Sequence, residues 1–255
     1  MKSDIQSHHG ELGKLYGVGA GPGAPDLLTL RAERILHSCP VICLPAGAHG
    51  KSYVENIIEK LVDRSQQEVL LLPFPMQRDP AQAIPARERA ASRVLDRLQA
   101  GHDVAFVTEG DPLLYSTFGY VLDRVRRHAP QIAVEVVPGV SSITAAAAAA
   151  CLTLAAWDER IAILPAAYAL GRPESRDLHK VLQTFDTVVL LKVNSVFDAL
   201  LQVLEELDLA QHAVFVRRCS TDHEEVVFDL ARLRQQTLDY FSLVIVRNPH
   251  AISTT

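Results

Sequence analysis

Three times in the first 142 residues a short apolar run breaks at glycine or proline and passes directly into helix-like spacing. Lys14–Val18 leads into Gly19-Ala20-Gly21-Pro22-Gly23, and Val104–Thr108 into Glu109-Gly110-Asp111-Pro112. Val134–Val137 leads into Pro138-Gly139-Val140-Ser141-Ser142. Strands joined through helices return parallel to one another, so this pattern directs the chain to α/β units on a parallel sheet. In open sheets of this kind ligands bind outside the carboxyl ends of the strands, where all three turns fall.

The remaining periodicity fills in around these turns. Pro25–His37 has helical spacing, with Pro25 suited to a first-turn position where its missing N–H costs little. Val41–Leu44 and Val69–Leu72 read as strands, Ser52–Val62 as a helix opened by a serine cap, Ala86–Leu98 as a charged amphipathic helix and Thr117–Arg127 as a helix. Beyond Pro138-Gly139 a helix is expected over Ser141–Cys151. The strand candidates after it are Arg160–Leu164, Thr187–Val193, Ala213–Arg217, Glu224–Asp229 and Phe241–Arg247. The short polar stretch Arg218–His223 between two of them favours an antiparallel hairpin, which makes the second sheet mixed. The expectation is two α/β domains, residues 10–138 with a parallel five-stranded sheet and residues 139–255 with a mixed one, their strand ends facing a shared active-site trough.

Composition narrows the function. A length of 255 residues at 48% apolar content is enough for well-buried cores, and the longest apolar stretch, Ala145–Leu154, is far short of the ~20 residues that span a bilayer. No charged-then-apolar leader opens the chain, so a cytoplasmic location without membrane attachment is expected. A net charge of −5 argues against nucleic acid as a partner, although clustered arginines can still focus positive potential on an anionic small molecule. Cys39, Cys43, Cys151 and Cys219 lack Cys-x-x-Cys spacing and read as small buried hydrophobes. The histidines are scattered, His8 and His9 in a polar N-terminal tail, so no metal site is expected.

The turns themselves discriminate among ligands. Gly19-Ala20-Gly21-Pro22-Gly23-Ala24 fits a dinucleotide fingerprint, but Pro22 removes an amide from the middle of the phosphate cradle. The ribose-binding acid expected about twenty residues later is also missing from Cys43-Leu44-Pro45-Ala46-Gly47. Gly110 lets a ligand approach the backbone, and Asp111 offers a carboxylate to an ammonium or hydroxyl group; an aspartate before proline also starts turns for local reasons. Ser141 or Ser142 either caps the following helix or holds a polar ligand atom. The run Ala145–Ala150 favours helix and would let that helix lie close to a flat ligand.

In this order the three turns resemble the tetrapyrrole methylases, S-adenosylmethionine-dependent enzymes of uroporphyrinogen and corrinoid metabolism, from about Lys14 to Asn248. Leu15-Tyr16-Gly17-Val18-Gly19 and Leu114-Tyr115-Ser116-Thr117-Phe118, with Tyr240-Phe241-Ser242-Leu243-Val244-Ile245-Val246, are similar to the subgroup that methylates C20 of precorrin-2 or cobalt-factor II in cobalamin biosynthesis. The resemblance implies that Pro22, Glu109, Gly110, Asp111, Leu114, Ser141, Ser142, Lys192, Cys219 and Ser242 contact S-adenosyl-L-methionine. Glu109 stands where the family often has glycine and Lys192 where it often has methionine.

A homodimer is implied too, as is a tetrapyrrole partner rich in carboxylates. Glu109 and Tyr115 are the candidate catalytic bases. Among the basic groups, Arg87, Arg89 and Arg93 on one helix read as a solvated face, while Arg217 and Arg218 end a strand. The rivals are a methylase acting at another ring position or on RNA or diphthamide, a non-catalytic nucleotide-binding domain, and a nicotinamide oxidoreductase.

Overall fold

The computed structural model describes residues 11–47, 50–74, 80–170 and 176–251; His8 and His9 lie outside them. The chain divides into two compact units, Met1–Ser141 and Ser142–Thr255.

The first unit contains β1 (Leu15–Gly19), α1 (Leu30–Ser38), β2 (Val41–Ala46), α2 (Tyr53–Ile58), β3 (Glu68–Pro73), α3 (Pro80–Gln99), β4 (Val104–Thr108), α4 (Phe118–His128) and β5 (Val134–Val137). Its strands form a five-stranded parallel sheet in the order β3-β2-β4-β1-β5. Alternate residues of each strand feed cores on opposite faces, as a two-residue period requires. Leu15, Cys43, Val104 and Phe106 pack with α3 and α4, and Val18, Ile42, Leu44, Ala105 and Val107 with α1 and α2. Covering both faces explains why these strands read as nearly unbroken apolar runs.

One glycine in β1 is fixed by packing alone. A Cβ on Gly17 would lie 2.8 Å from Cε2 of Phe118 and closer still to the tip of that ring, which is fully buried.

Helix starts depart from the sequence expectation at three places: α3 begins at Pro80, six residues before Ala86 and with Pro85 inside it, and the other two lie ahead of α1 and α2. Pro25 opens a single 3-10 turn, Pro25–Leu27, rather than a continuous helix to His37. Leu28 and Thr29 are extended, and Thr29 Oγ1 accepts from the Ala32 amide at 3.1 Å to cap α1 anew. Ser52 precedes α2, yet its hydroxyl is buried without a partner and makes no cap bond.

The second unit contains α5 (Ser142–Ala149), β6 (Ile161–Pro165), α6 (Ala166–Leu170), α7 (Arg176–Thr184), β7 (Thr187–Leu191), α8 (Phe197–Glu206), β8 (Ala213–Arg217), β9 (Glu225–Val227) and β10 (Ser242–Arg247). Its five-stranded sheet, in the order β6-β7-β10-β8-β9, is mixed: β6 and β7 are parallel and the other pairings antiparallel, including the expected β8–β9 hairpin. The alanine-rich α5 lays Ile143, Ala146 and Ala147 on one face of this sheet, while α7 and α8 cover the other. Among the described residues no helix is long and apolar enough to cross a membrane.

Candidate active site

The chain leaves β1 across β4 to reach β2, and leaves β4 across β1 to reach β5. Adjacent strands whose connections depart in opposite directions open a crevice at their carboxyl ends. The Gly-Pro-Gly turn after β1 and the Glu-Gly-Asp-Pro turn after β4 sit at that point, with the Pro138-Gly139 turn after β5 beside them.

Backbone contacts join the three turns. The Ala20 amide donates to the Thr108 carbonyl at 2.8 Å, and the Gly110 amide to the Gly21 carbonyl at 2.7 Å in an antiparallel bridge. Gly21 and Gly110 hold φ of 78° and 59°, the left-handed region that glycine enters without steric cost. A Cβ on Gly19 would stand 2.6 Å from both the Gly110 carbonyl oxygen and the Gly139 nitrogen. The turns therefore approach one another main chain to main chain.

Pro22, Glu109, Gly110 and Asp111 are thus gathered at one edge, and Pro22 is buried there. Asp111 Oδ1 accepts from the Leu113 amide at 2.9 Å, and Oδ2 from the Gly139 amide at 3.1 Å. Leu113, Leu114 and Tyr115 project as an exposed apolar run at 62%, 38% and 48% accessibility. Tyr115 itself is held at φ 52°, an uncommon conformation for a bulky residue. Ser141 lies two residues past Gly139, and Ser142 opens α5.

The sequence-derived candidates of the second unit also gather at one sheet edge. The Lys192 amide donates to the Ser242 carbonyl at 2.9 Å, and Lys192 Nζ lies over the Tyr240 ring at 5.1 Å. Ser242 is buried and its hydroxyl donates to the Asp239 carbonyl at 2.6 Å. Cys219 is buried with its sulfur 3.7 Å from the Ser142 carbonyl oxygen, and desolvation pushes the thiol up to about 11, so it stays neutral at physiological pH.

Of the basic candidates, Arg217 pairs with Glu225 at 2.5 Å and Arg218 with Asp239 at 2.6 Å. Arg87 stacks over Tyr120 at 4.0 Å, and Arg93 donates to the Leu71 carbonyl at 3.3 Å.

Two participants escape a reading of the sequence, and a third, Gly139, is legible there only as a turn residue. Thr108, 3% exposed at the last position of β4, carries a buried hydroxyl without a partner. Asp239 accepts from the Phe241 amide at 2.8 Å while holding Arg218, and Gly139 supplies the amide that Asp111 takes. The available signals were a threonine ending an otherwise apolar strand and an aspartate three residues before the final one.

Residues 14–233 match the model of one protein family, the Tetrapyrrole (Corrin/Porphyrin) Methylases. The chain belongs to that family. Its relatives include the cobalt-precorrin-2 C(20)-methyltransferase of Salmonella typhimurium, 33% identical over 92% of this chain and 96% of that protein. The probable cobalt-precorrin-2 C(20)-methyltransferase of Methanocaldococcus jannaschii is 35% identical with the same coverage. Among solved structures, the uroporphyrin-III C-methyltransferase of Thermus thermophilus in complex with S-adenosylhomocysteine superposes with a TM-score of 0.66. It is 26% identical, with 92% of this chain and 97% of that one covered.

The turns suit the family's methyl donor. Glu109 and Asp111, the charged side chains on the three turns, are both carboxylates, so the turns carry no cation with which to hold a phosphate. The solitary Thr108 hydroxyl and the glycine backbone at Gly21 and Gly110 offer polar atoms and close approach to a ligand's own hydroxyls and amines.

Proposed function

We propose that this chain is an S-adenosyl-L-methionine-dependent methyltransferase that methylates C20 of precorrin-2 or cobalt-factor II in cobalamin biosynthesis. The observation that carries the reading is its match, over nearly the whole length of both chains, to proteins named for C20 chemistry. The Tyr115-Ser116-Thr117-Phe118 continuation of the β4 turn agrees with it through its resemblance to the C20 subgroup.

Bound S-adenosylmethionine supplies an electrophilic methyl group on a departing sulfur. Pro22, Glu109, Gly110, Asp111, Leu114, Ser141, Ser142, Lys192, Cys219 and Ser242 form the donor site in this reading, drawn from both expected domains, residues 10–138 and 139–255. The protein's task is to hold the nucleophilic carbon about 3 Å from the methyl group, in line with the sulfur, and to keep water out. The exposed Leu113–Tyr115 run supplies apolar surface for the flat macrocycle.

The ring carbon loses a proton after methylation. Glu109, a half-buried carboxylate on the donor turn, is the candidate acceptor, and Tyr115 is the alternative. The reading includes a homodimer working in the cytoplasm; the unpaired Cys39, Cys43, Cys151 and Cys219 suit a reducing compartment.

The test is an anaerobic methylation assay with labelled S-adenosylmethionine and with precorrin-2 or cobalt-factor II as acceptor, locating the new methyl group by NMR. Label at C20 is the expected result. Label at another ring carbon would keep the family activity and remove the C20 assignment; absence of transfer to either acceptor would remove both substrates.

A further inference from the structure

We infer that Asp111 serves the donor site as a positioning residue, its carboxylate committed to the backbone of two turns and not to the ligand's ammonium group. The inference rests on the donor-site reading above. Each carboxylate oxygen meets a different amide: Oδ1 takes Leu113, two residues ahead, and Oδ2 takes Gly139, 28 residues away.

The Gly139 amide has no strand partner to fall back on, because the register between β5 and β1 stops at Val137 with Val18. On its other flank the β4 turn is already tied to the β1 turn through the Gly21–Gly110 bridge. Asp111 thus closes a chain of bonds from the β1 turn through the β4 turn to the β5 turn.

The close approach that makes this possible is built from glycine. Gly139 has room only for hydrogen: a Cβ there would run into the Gly110 carbonyl oxygen and stand 2.9 Å from Gly19 Cα. An ionised carboxylate is a stronger acceptor than a neutral group, and it orients both amides at once. What it orients is the path into Ser141, two residues beyond Gly139, and the exposed run that begins at Leu113. Lone pairs remain on both oxygens, so a direct contact with a ligand ammonium is the rival role, and ligand choice separates the two.

The experiment is calorimetric titration of the wild-type chain, Asp111→Asn and Asp111→Glu with two ligands, S-adenosylhomocysteine and 5′-methylthioadenosine. The second lacks the amino-acid arm and so has no ammonium to pair. Asparagine keeps the shape but leaves one of the two amides without an acceptor; glutamate keeps the charge but moves it a methylene away.

A positioning role weakens both ligands by the same factor, about tenfold, in variants whose circular dichroism matches the wild type. Loss confined to S-adenosylhomocysteine would assign the carboxylate to the ammonium and overturn the inference. Folded variants that bind both ligands as the wild type does would reduce Asp111 to a local turn former, as would failure of both variants to fold. Wild-type protein that binds neither ligand removes the donor-site reading itself, and the inference with it.

Discussion

The two sheets solve one problem, holding turns rigidly at a strand edge, with different materials. In the first unit the turns after β1, β4 and β5 meet backbone to backbone, and of the left-handed positions among its described residues Gly21, Gly50, Gly101 and Gly110 are glycine, Tyr115 being the exception. Of the 13 glycines in the chain, Gly171 is the one that follows Gly139. The second unit therefore places ordinary side chains in the left-handed region: Lys192 at 58°, Asp208 at 56°, Arg218 at 45° and Ser220 at 66°. Such conformations cost roughly 1–2 kcal/mol each and persist only where surrounding bonds fix them. Backbone bonds hold Lys192 and Asp208, and around Arg218 side-chain bonds join them: Arg218 to Asp239, Asp239 to the Phe241 amide and Ser242 to the Asp239 carbonyl. The first edge is rigid because nothing more fits; the second is rigid because polar groups restrain it.

The largest effect should come from violating the first device. Gly19→Ala puts a methyl group 2.6 Å from two backbone atoms that have no rotamer to change. A loss of about 3 kcal/mol in urea denaturation is expected, the upper part of the usual range for overpacking. A loss below about 1 kcal/mol would show that the three turns can part without cost, and the contrast between the sheets would fail.

Cutting the polar restraint should cost less. Asp239→Ala releases Arg218 and strips the acceptor from the Phe241 amide. Both partners are partly exposed and water screens the ion pair, so about 2 kcal/mol is expected in the same measurement. If the mutant instead matches the wild type, backbone pairing alone holds that edge.

The smallest change should be a gain. The end of α8 has the hydrogen bonds of a Schellman cap, Leu209 amide to Leu204 carbonyl at 2.8 Å and Asp208 amide to Glu205 carbonyl at 3.1 Å, with Asp208 in the position that usually carries glycine. Asp208→Gly relieves the left-handed strain and removes a negative charge from a helix carboxyl end. Thermal melting should report a rise corresponding to about 1 kcal/mol. A fall would mean that the aspartate side chain compensates the strain it creates.

How far the sequence discloses these devices depends on their range. The strands are legible almost to the residue, since β-branched runs buried on both faces leave a continuous signal in β4 and β8. The apolar spacing of Phe197, Leu200, Leu201 and Leu204 in α8 is equally local, although it stands out less beside the strand runs around it. Capping is less legible. Thr29 falls inside the spacing read as the helix Pro25–His37 and Ser52 ahead of one, yet only Thr29 receives an amide, because Ser52 is turned into a buried setting that tertiary packing creates.

The site divides the same way. The Gly-Pro-Gly and Glu-Gly-Asp-Pro turns announce themselves by residue type, and their place at the strand ends follows from the strands before them. The partner of Asp111 does not, since Gly139 becomes its neighbour only when β5 docks on the far side of β1 from β4. Likewise, the sequence shows Arg217 and Arg218 only as the end of a strand, and their partners Glu225 and Asp239 come beside them through the fold.

The seat of Phe118 on Gly17 carries a consequence for the divergence of such chains. The ring fills the space where a side chain at 17 would begin, so the two positions share a fixed volume although they are far apart in sequence. A homologue can enlarge position 17 only by shrinking position 118, and either change alone leaves a collision or a void beneath the turn after β1. Size at these two sites should therefore vary inversely through the family.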